Sequence, residues 1–295
     1  MIKLSPEILA RYQAPEAEHT TRPPLWQNYL GVHTPSDFFP GHTELAGVCM
    51  NRIPDPDDMI HAGWVEYAAL LYAIETAGST LAVGELGAAW GPWVSAAGVV
   101  GRRTGRFDRI DLVAVEASPR KHKRLAMHLA ENGLVDGPNM RVRPLCGAAW
   151  TQADTLRFPD DEGLSLDDIG AAVTNTESDI RGKSLGMRDV PAFGFDEIFE
   201  GMGMIDFAHF DVQGAEEDII PAWLDRLNER VRIMLIGTHA RHIEVQLFEL
   251  LSGAGWRLLH AQPCEYSYNE NASSTVGMTT RDGDYIWANP RLHSV

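Results

Sequence analysis

Short apolar runs rich in β-branched residues alternate with helical patterns along most of this chain, and no other feature narrows its possible folds as far. "STLAVGEL", "RIDLVAVEAS", "MRVRPLCGAAW", "MIDFAHFDVQG" and "VRIMLIGTHA" read as strands, each closing near Gly, Ser, Asp or Thr. Between them lie "PWVSAAGVVGRR", "PRKHKRLAMHLAENG", "AEEDIIPAWLDRLNE" and "EVQLFELLSGAG", whose apolar residues recur at helical spacing. Parallel strands need a long crossover between them, and a helix is the usual one. The alternation therefore predicts a mostly parallel sheet with helices on both faces. A final run, "DYIWANPRL", adds a strand at or near an edge. The expected class is α/β, a Rossmann-like, mostly parallel seven-stranded sheet.

Two regions fall outside the alternation. Residues 1 to 58 are rich in Pro, His and aromatics without sustained periodicity, and read as an N-terminal cap of short helices and loops. A main domain follows over 59 to 295, introduced by a helix from about Asp57 in "DDMIHAGWVEYAALLYAIETAG", with an acidic first turn and Gly78 at its C-cap. The stretch from 151 to 195 is polar, rich in Asp and Gly, and too long for an ordinary connection, so an extra hairpin and a lid over the substrate are expected there.

Charge and cysteine content exclude several classes. A formal charge of −16 removes any general attraction for phosphate backbones, and the one basic run, "RKHKR" at 120 to 124, is short enough to be a solvated helix face. No nucleic-acid partner is expected. Cys49, Cys146 and Cys264 are odd in number and lack C-x-x-C spacing, which reads as buried thiols in a reducing compartment. "MIKLSPEILARY" has no apolar core of a signal peptide, and the apolar window from Leu81 to Gly101 contains Glu85 and several small residues. A cytoplasmic protein without membrane contact is expected, acting on a small molecule, with a homo-oligomer left open.

The first strand runs into "ELGAAWGP". In open parallel sheets, ligands bind beyond the carboxyl ends of the strands, where strand order reverses. Gly87 permits a tight turn, Ala88 and Ala89 carry no bulk, Gly91 lets backbone approach a ligand, and Pro92 suits a first helical position. A Walker A loop is excluded because no lysine or hydroxyl residue follows. A dinucleotide fingerprint is excluded as well, since glycines would be needed at 87, 89 and 92, where Gly, Ala and Pro stand. What remains is an acid, Glu85, two residues before the first glycine, suited to a ligand that offers donors or a positive charge. S-adenosylmethionine is such a ligand. Glu116 ends the next strand 31 residues later, the length of one βαβ unit, where a carboxylate accepts both ribose hydroxyls.

With those residues in place, the chain resembles class I S-adenosylmethionine-dependent methyltransferases, and more narrowly the FkbM-type family. The signal is "MIDFAHFDVQGAEEDII", similar to that family's apolar strand followed by Asp, an apolar residue, Glu or Gln, Gly, Ala and Glu. Here these are Asp211, Val212, Gln213, Gly214, Ala215 and Glu216. "FGFDEIF" and "DYIWANPRL" resemble the family's flanking elements, and the likeness runs from about Leu81 to Leu292. Ala89-Trp90-Gly91 stands where many members have Asn-Ile-Gly, and "IGTHA" where many have an acidic strand end. The resemblance implies methyl transfer to a hydroxyl of a sugar or secondary metabolite, as in natural product biosynthesis. Cofactor contacts are expected from Glu85, Gly87, Ala88 and Gly91 on the first turn and from Glu116, Ala117, Ala148 and Asp211 on neighbouring strand ends. Gln213, Glu66 and Tyr67 are expected to meet the substrate, with the alternative that Tyr67 belongs with Trp26, Tyr29 and Trp64 to the core of the N-terminal cap.

An alcohol becomes a good nucleophile only as its proton leaves, so a base is needed in reach of the acceptor. His239, closing the fifth strand in "IGTHARH", is the expected base, and Asp211 would orient the acceptor or touch the methionine end of the cofactor. Asp211 alternatively caps the helix of "GAEEDII", with Glu216 as a first-turn acid. No resident metal is expected, although Asp211, Glu216 and His239 together would be the place for one. An N-methyltransferase, or a silent partner subunit that keeps the cofactor pocket, are the competing readings.

Overall fold

The computed structural model describes residues 4–160, 186–272 and 274–292; the lid expected between 151 and 195 lies, over 161–185, outside the described residues. Seven strands form the central sheet: β1 (Thr80–Leu86), β2 (Arg109–Glu116), β3 (Met140–Cys146), β4 (Ile205–Phe210), β5 (Val231–Thr238), β6 (Arg257–Gln262) and β7 (Gly283–Ala288). Their order across the sheet is β6-β7-β5-β4-β1-β2-β3, with β7 antiparallel to both of its neighbours and the remaining pairs parallel. The "DYIWANPRL" strand is thus second from the edge. The edge itself is β6, whose half-exposed, bulged run "RLLHAQ" carries no apolar alternation strong enough to announce it.

Five main helices clothe the sheet: α1 (Trp64–Thr76), α2 (Pro92–Thr104), α3 (Pro119–Glu131), α4 (Glu216–Arg230) and α5 (Arg241–Gly253). On one face Leu70, Ile74, Ala97, Val100, Leu125 and Leu129 of α1 to α3 close over Leu81, Leu112 and Phe207. On the other, Ile219, Trp223, Ile243 and Leu247 of α4 and α5 pack with Val113, Ala208, Met234 and Trp287. A parallel sheet buried on both sides needs strands apolar on both sides, and β4 and β5 are buried almost throughout. Ile8, Leu9, Tyr29 and Leu30 join the first of these cores, so the N-terminal segment is sewn onto the α1 to α3 face. It contains a short hairpin, Leu25–Gln27 with His33–Pro35, besides its helical turns.

Three local expectations need correction. The helix expected from Asp57 begins at Trp64, because Asp58 Oδ1 accepts the N–H groups of Ile60, His61 and Ala62 and holds 57–63 as a loop. Its C-cap is Ala77 rather than Gly78. Of the three cysteines only Cys264 is buried, and Cys146 is exposed. The expected extra hairpin is present, pairing Asp154–Pro159 with Met187–Phe193 beside the short strand Ala148–Ala149. Among the described residues no helix is long and apolar enough to cross a membrane.

Candidate functional site

The parallel register lines up four strand ends. Leu86 of β1 pairs with Phe210 of β4, so Gly87 and Asp211 come side by side just beyond them, where strand order reverses. Glu116 pairs with Cys146 and stands at the end of β2 on one side, while β5 delivers His239 on the other. A side chain at Gly87 is impossible: its Cβ would lie 1.7 Å from the carbonyl oxygen of Asp211, and its φ is +77°.

The opening acid, Glu85, has a structural task. Helix α2 starts with Gly91 as its N-cap, which offers no side chain, and Pro92, which offers no N–H. Glu85 Oε2 accepts instead from Trp93 N (3.1 Å) and Val94 N (2.8 Å), fastening the helix to the strand that precedes it. Burial outweighs these two bonds and pushes its carboxyl up to about 8. Gly91 lines neither of the two clefts that open here, and its missing side chain makes room for Leu125, which a Cβ would meet at 2.3 Å.

Two clefts open from this turn. The first is lined by Gly87 and Ala89, by Glu116 and Ala117, by Gly147 to Ala149, by Phe158 and Lys121, and by Asp211 to Gln213, and holds about 640 Å³ not filled by protein. Glu116 is poised at its wall: Oε2 accepts from Ala89 N and Oε1 from Ser118 N, both at 2.7 Å. Ala89 is held at a φ of +48°, a left-handed conformation that brings its N–H onto that carboxylate. Phe158 comes from the extra hairpin and packs with Ala148 and Ala117, forming an apolar slot beside Glu116.

The second cleft lies across Gly87, Ala89 and Asp211 and is open to solvent, with about 1320 Å³ not filled by protein. The loop 57–63 supplies Asp58 and His61, α1 supplies Glu66, β1 Glu85, β4 His209, the segment before β7 Arg281 and Asp282, and β7 itself Asp284, with Trp90 and Trp93 as aromatic walls. His61 Nδ1 lies 2.9 Å from Asp58 Oδ2, which also accepts from Tyr67 Oη at 2.8 Å. Burial opposes it, but the His61 imidazole, together with the backbone N–H groups of His61 and Ala62, holds the Asp58 carboxyl far below its usual range. His209 is kept neutral at physiological pH because burial lowers it to about 4.

Among the expected site residues, Gly87, Glu116, Ala117, Ala148 and Asp211 line the first cleft, and Glu66, Glu85 and Ala88 the second. Gln213 lines the first cleft and not the second, and its amide donates to Asp211 Oδ1 at 3.0 Å. Tyr67 reaches neither; it is 1% exposed, packed on Tyr29 and Trp93, and steadies Asp58.

The placement of His239 argues against its acting as a free base. It is 2% exposed and lines neither cleft, with Nδ1 3.0 Å from Glu216 Oε1 and Nε2 3.1 Å from Asp211 Oδ1. Burial opposes its charge, but Glu216 and Asp211 win and raise it well above its ordinary value. The imidazolium is a strut between two carboxylates. Asp211, in turn, is held at about 2 because contact with His239 outweighs burial, and it does not cap α4, whose N-cap Ala215 has no side-chain bond. Glu216 instead accepts from Val212 N and Gly214 N, both at 2.9 Å, and ties down the whole "DVQG" turn. Among the described residues no group of three or more His, Cys, Asp and Glu is arranged to hold a metal ion.

The residues that sequence reading passed over are Asp58, His61, His209, Asp282 and Asp284. One signal was available: Asp and His three apart in "DMIH", directly ahead of a helix, is an Asx-turn spacing as much as a helical first turn.

No family model matches the chain. A relative from Jannaschia sp. (strain CCS1), described as "Putative methyltransferase", is 28% identical over 267 residues, covering 83% of this chain and 86% of its own length. Among solved structures, the methyltransferase FkbM of Methylobacillus flagellatus KT is 11% identical with a TM-score of 0.41, over 76% of this chain and 54% of that one. Precorrin-6y C5,15-methyltransferase of Geobacter metallireducens GS-15 is 12% identical with a TM-score of 0.39, over 78% and 90%.

Proposed function

We propose that the chain is an S-adenosylmethionine-dependent O-methyltransferase of the FkbM type, acting on a hydroxyl of a small polyhydroxylated molecule. The reaction class rests on the 28% identical relative and on a strand-end cradle suited to an adenosyl donor. The observation that carries the mechanism is that two clefts meet at Gly87, Ala89 and Asp211, which gives a donor and an acceptor one shared wall. The finer assignment to a hydroxylated small molecule is supported by the likeness of Asp211 to Glu216 to the FkbM-type motif and by the polar lining of the second cleft.

The donor cleft fits the cofactor in three respects. Glu116 stands at the end of β2, where a carboxylate accepts ribose hydroxyls. Ala117, Ala148 and Phe158 supply an apolar slot for a flat ring, and the enforced absence of a side chain at Gly87 leaves backbone open to the ligand. When bound, S-adenosylmethionine supplies a methyl group on a positively charged sulfur. The chain's task is then alignment and proton removal. Alignment in a displacement at carbon requires the reacting atoms to be nearly in line and about 3 Å apart, and Asp211, anchored by His239 and Gln213, is a fixed point on the line between the clefts.

The base is assigned to His61 in place of His239. His61 lines the acceptor cleft, and Asp58 stands against its Nδ1, the pairing that orients an imidazole and stabilises the proton it takes. Calorimetry with S-adenosylmethionine and with its demethylated product tests the donor cleft, and absence of heat from both refutes the function. Methyl incorporation across a panel of hydroxylated natural products tests the chemistry. His61→Gln is expected to lower kcat by ~10²–10⁴ with product affinity unchanged. An unaltered kcat removes the assignment.

A further inference from the structure

The acceptor cleft is far more acidic than a hydroxylated ligand alone requires. Asp58, Glu66, Glu85, Asp211, Asp282 and Asp284 line it, against a single guanidinium, Arg281. Several of these charges are already answered inside the protein. Asp58 is met by His61 and three backbone N–H groups, Asp211 is paired with His239, and Glu85 accepts from Trp93 N and Val94 N.

Glu66 and Asp284 are different. Glu66 Oε2 accepts one N–H, from Gly63 at 2.5 Å, and among the described residues no salt bridge reaches either carboxyl. Burial and then the charge of Asp284 drive Glu66 well above the usual carboxylate range, and burial and then Asp282 move Asp284 to about 6. They behave as carboxyls short of a counter-charge.

An independent feature points to a ligand in the same space. His209 is 8% exposed and lines the cleft, and its Nδ1 is buried with no hydrogen-bond partner, 4.0 Å from Glu85 Oε1. A buried polar atom without a partner costs about 1–3 kcal/mol. The ring lines the cleft, so a turn about its Cβ–Cγ bond would present that nitrogen to a ligand hydroxyl or N–H group. Trp90 and Trp93 complete a wall of aromatic rings, the surroundings that favour an ammonium group. A divalent cation fits less well, since no group of three ligating side chains converges among the described residues.

Resting on the methyltransferase reading above, we propose that the acceptor is an amino-substituted polyol, whose protonated amine seats against Glu66 and Asp284 while a neighbouring hydroxyl faces the donor. The amine is then the specificity handle, and the general architecture of strand ends leaves it to this wall to choose among hydroxylated molecules.

The test is calorimetric titration of the full-length protein, saturated with S-adenosylhomocysteine, with 2-deoxystreptamine, a cyclohexane ring bearing amines and hydroxyls. Scyllo-inositol, the same ring bearing hydroxyls alone, is the control. The diamine is expected to bind at least about tenfold more tightly at pH 7.5. Glu66→Gln combined with Asp284→Asn is expected to bring the two ligands within about threefold, with S-adenosylhomocysteine affinity held within about twofold as the check on folding. Equal affinities, no binding of the diamine, or an advantage that survives in the double variant would each overturn the proposal. Failure of S-adenosylhomocysteine to bind at all is a separate result, and it strikes the methyltransferase reading itself.

Discussion

The two clefts on either side of Asp211 are built by opposite means. The proposed donor cleft is made of strand ends: Glu116 is the last paired residue of β2, Gly87 and Asp211 follow the last pair of β1 and β4, and hydrogen bonds within the sheet fix where they stand. The proposed acceptor cleft draws its charges from several places, the loop before α1, Glu66 on the first turn of α1, Glu85 and His209 on β1 and β4, and the segment Arg281 to Asp284 that leads into β7, brought together from positions more than 200 residues apart, Asp57 and Asp284. Backbone register defines the first, and side-chain charge defines the second. It follows that the first should tolerate no change in backbone shape, and that the second should respond mainly to changes of charge.

The severest test of that contrast is at the wall the clefts share. Gly87→Ala would place a Cβ 1.7 Å from the Asp211 carbonyl oxygen, at a φ that L side chains rarely adopt. Either β1 and β4 part at their ends or the turn reorganises, and both clefts go together. We expect S-adenosylmethionine affinity to fall by about 100-fold or more, equivalent to roughly 3 kcal/mol, in a protein whose circular dichroism still shows the sheet. An affinity within threefold of the parent would mean that the turn does not form the donor site.

A loss of stability rather than of affinity is expected at His239, which touches neither cleft yet fixes Asp211 between them. Replacing it with leucine leaves Glu216 buried without its counter-charge, and breaking a buried pair in this way costs about 3–5 kcal/mol. Urea unfolding should show the full loss. If His239→Leu instead kept its stability and lost only turnover, the imidazole would be chemistry rather than scaffold, and the assignment of the base to His61 would reverse.

The contrast between clefts also explains what the sequence made legible. Strand runs, the "ELG" turn and Glu116 could be placed because local pattern decides them, and β1 to β5 lie where their apolar runs put them. His239 was located correctly at the end of β5, but its role depends on Glu216, 23 positions away in sequence and adjacent only in the fold. Glu66 was legible as a residue on a helix near the first strand; Asp284 was hidden in a strand that reads as apolar, "DYIWAN". Tyr67 takes the core alternative, which sequence leaves open because a tyrosine next to an acid on a helix has the same pattern whether it lines a pocket or supports one. No local rule tells which side of a helix becomes a wall until the loop at 57–63 closes over it.

The mildest test lies at Glu85, the one carboxyl on the acceptor side that serves the donor loop's helix. Its folded value near 8 is raised above an unfolded value of about 4.5, so between those limits the folded protein holds a proton that the unfolded chain does not. Its contribution to stability is fully present below the unfolded value and is lost as pH rises through about 8. His128 and His209, both lowered to about 4 by burial, work in the other direction, and their contribution is lost as pH falls from about 6.5 to 4. The window from pH 6.5 to 8 therefore separates Glu85 from these two. Glu85→Gln keeps an oxygen for Trp93 N and Val94 N but has no proton to lose. Its unfolding free energy, minus that of the parent, should climb with pH there by up to about 1.4 kcal/mol per pH unit. Parallel curves would mean that Glu85 is already ionised in the folded protein, and the acceptor cleft would then hold one more negative charge than its geometry implies.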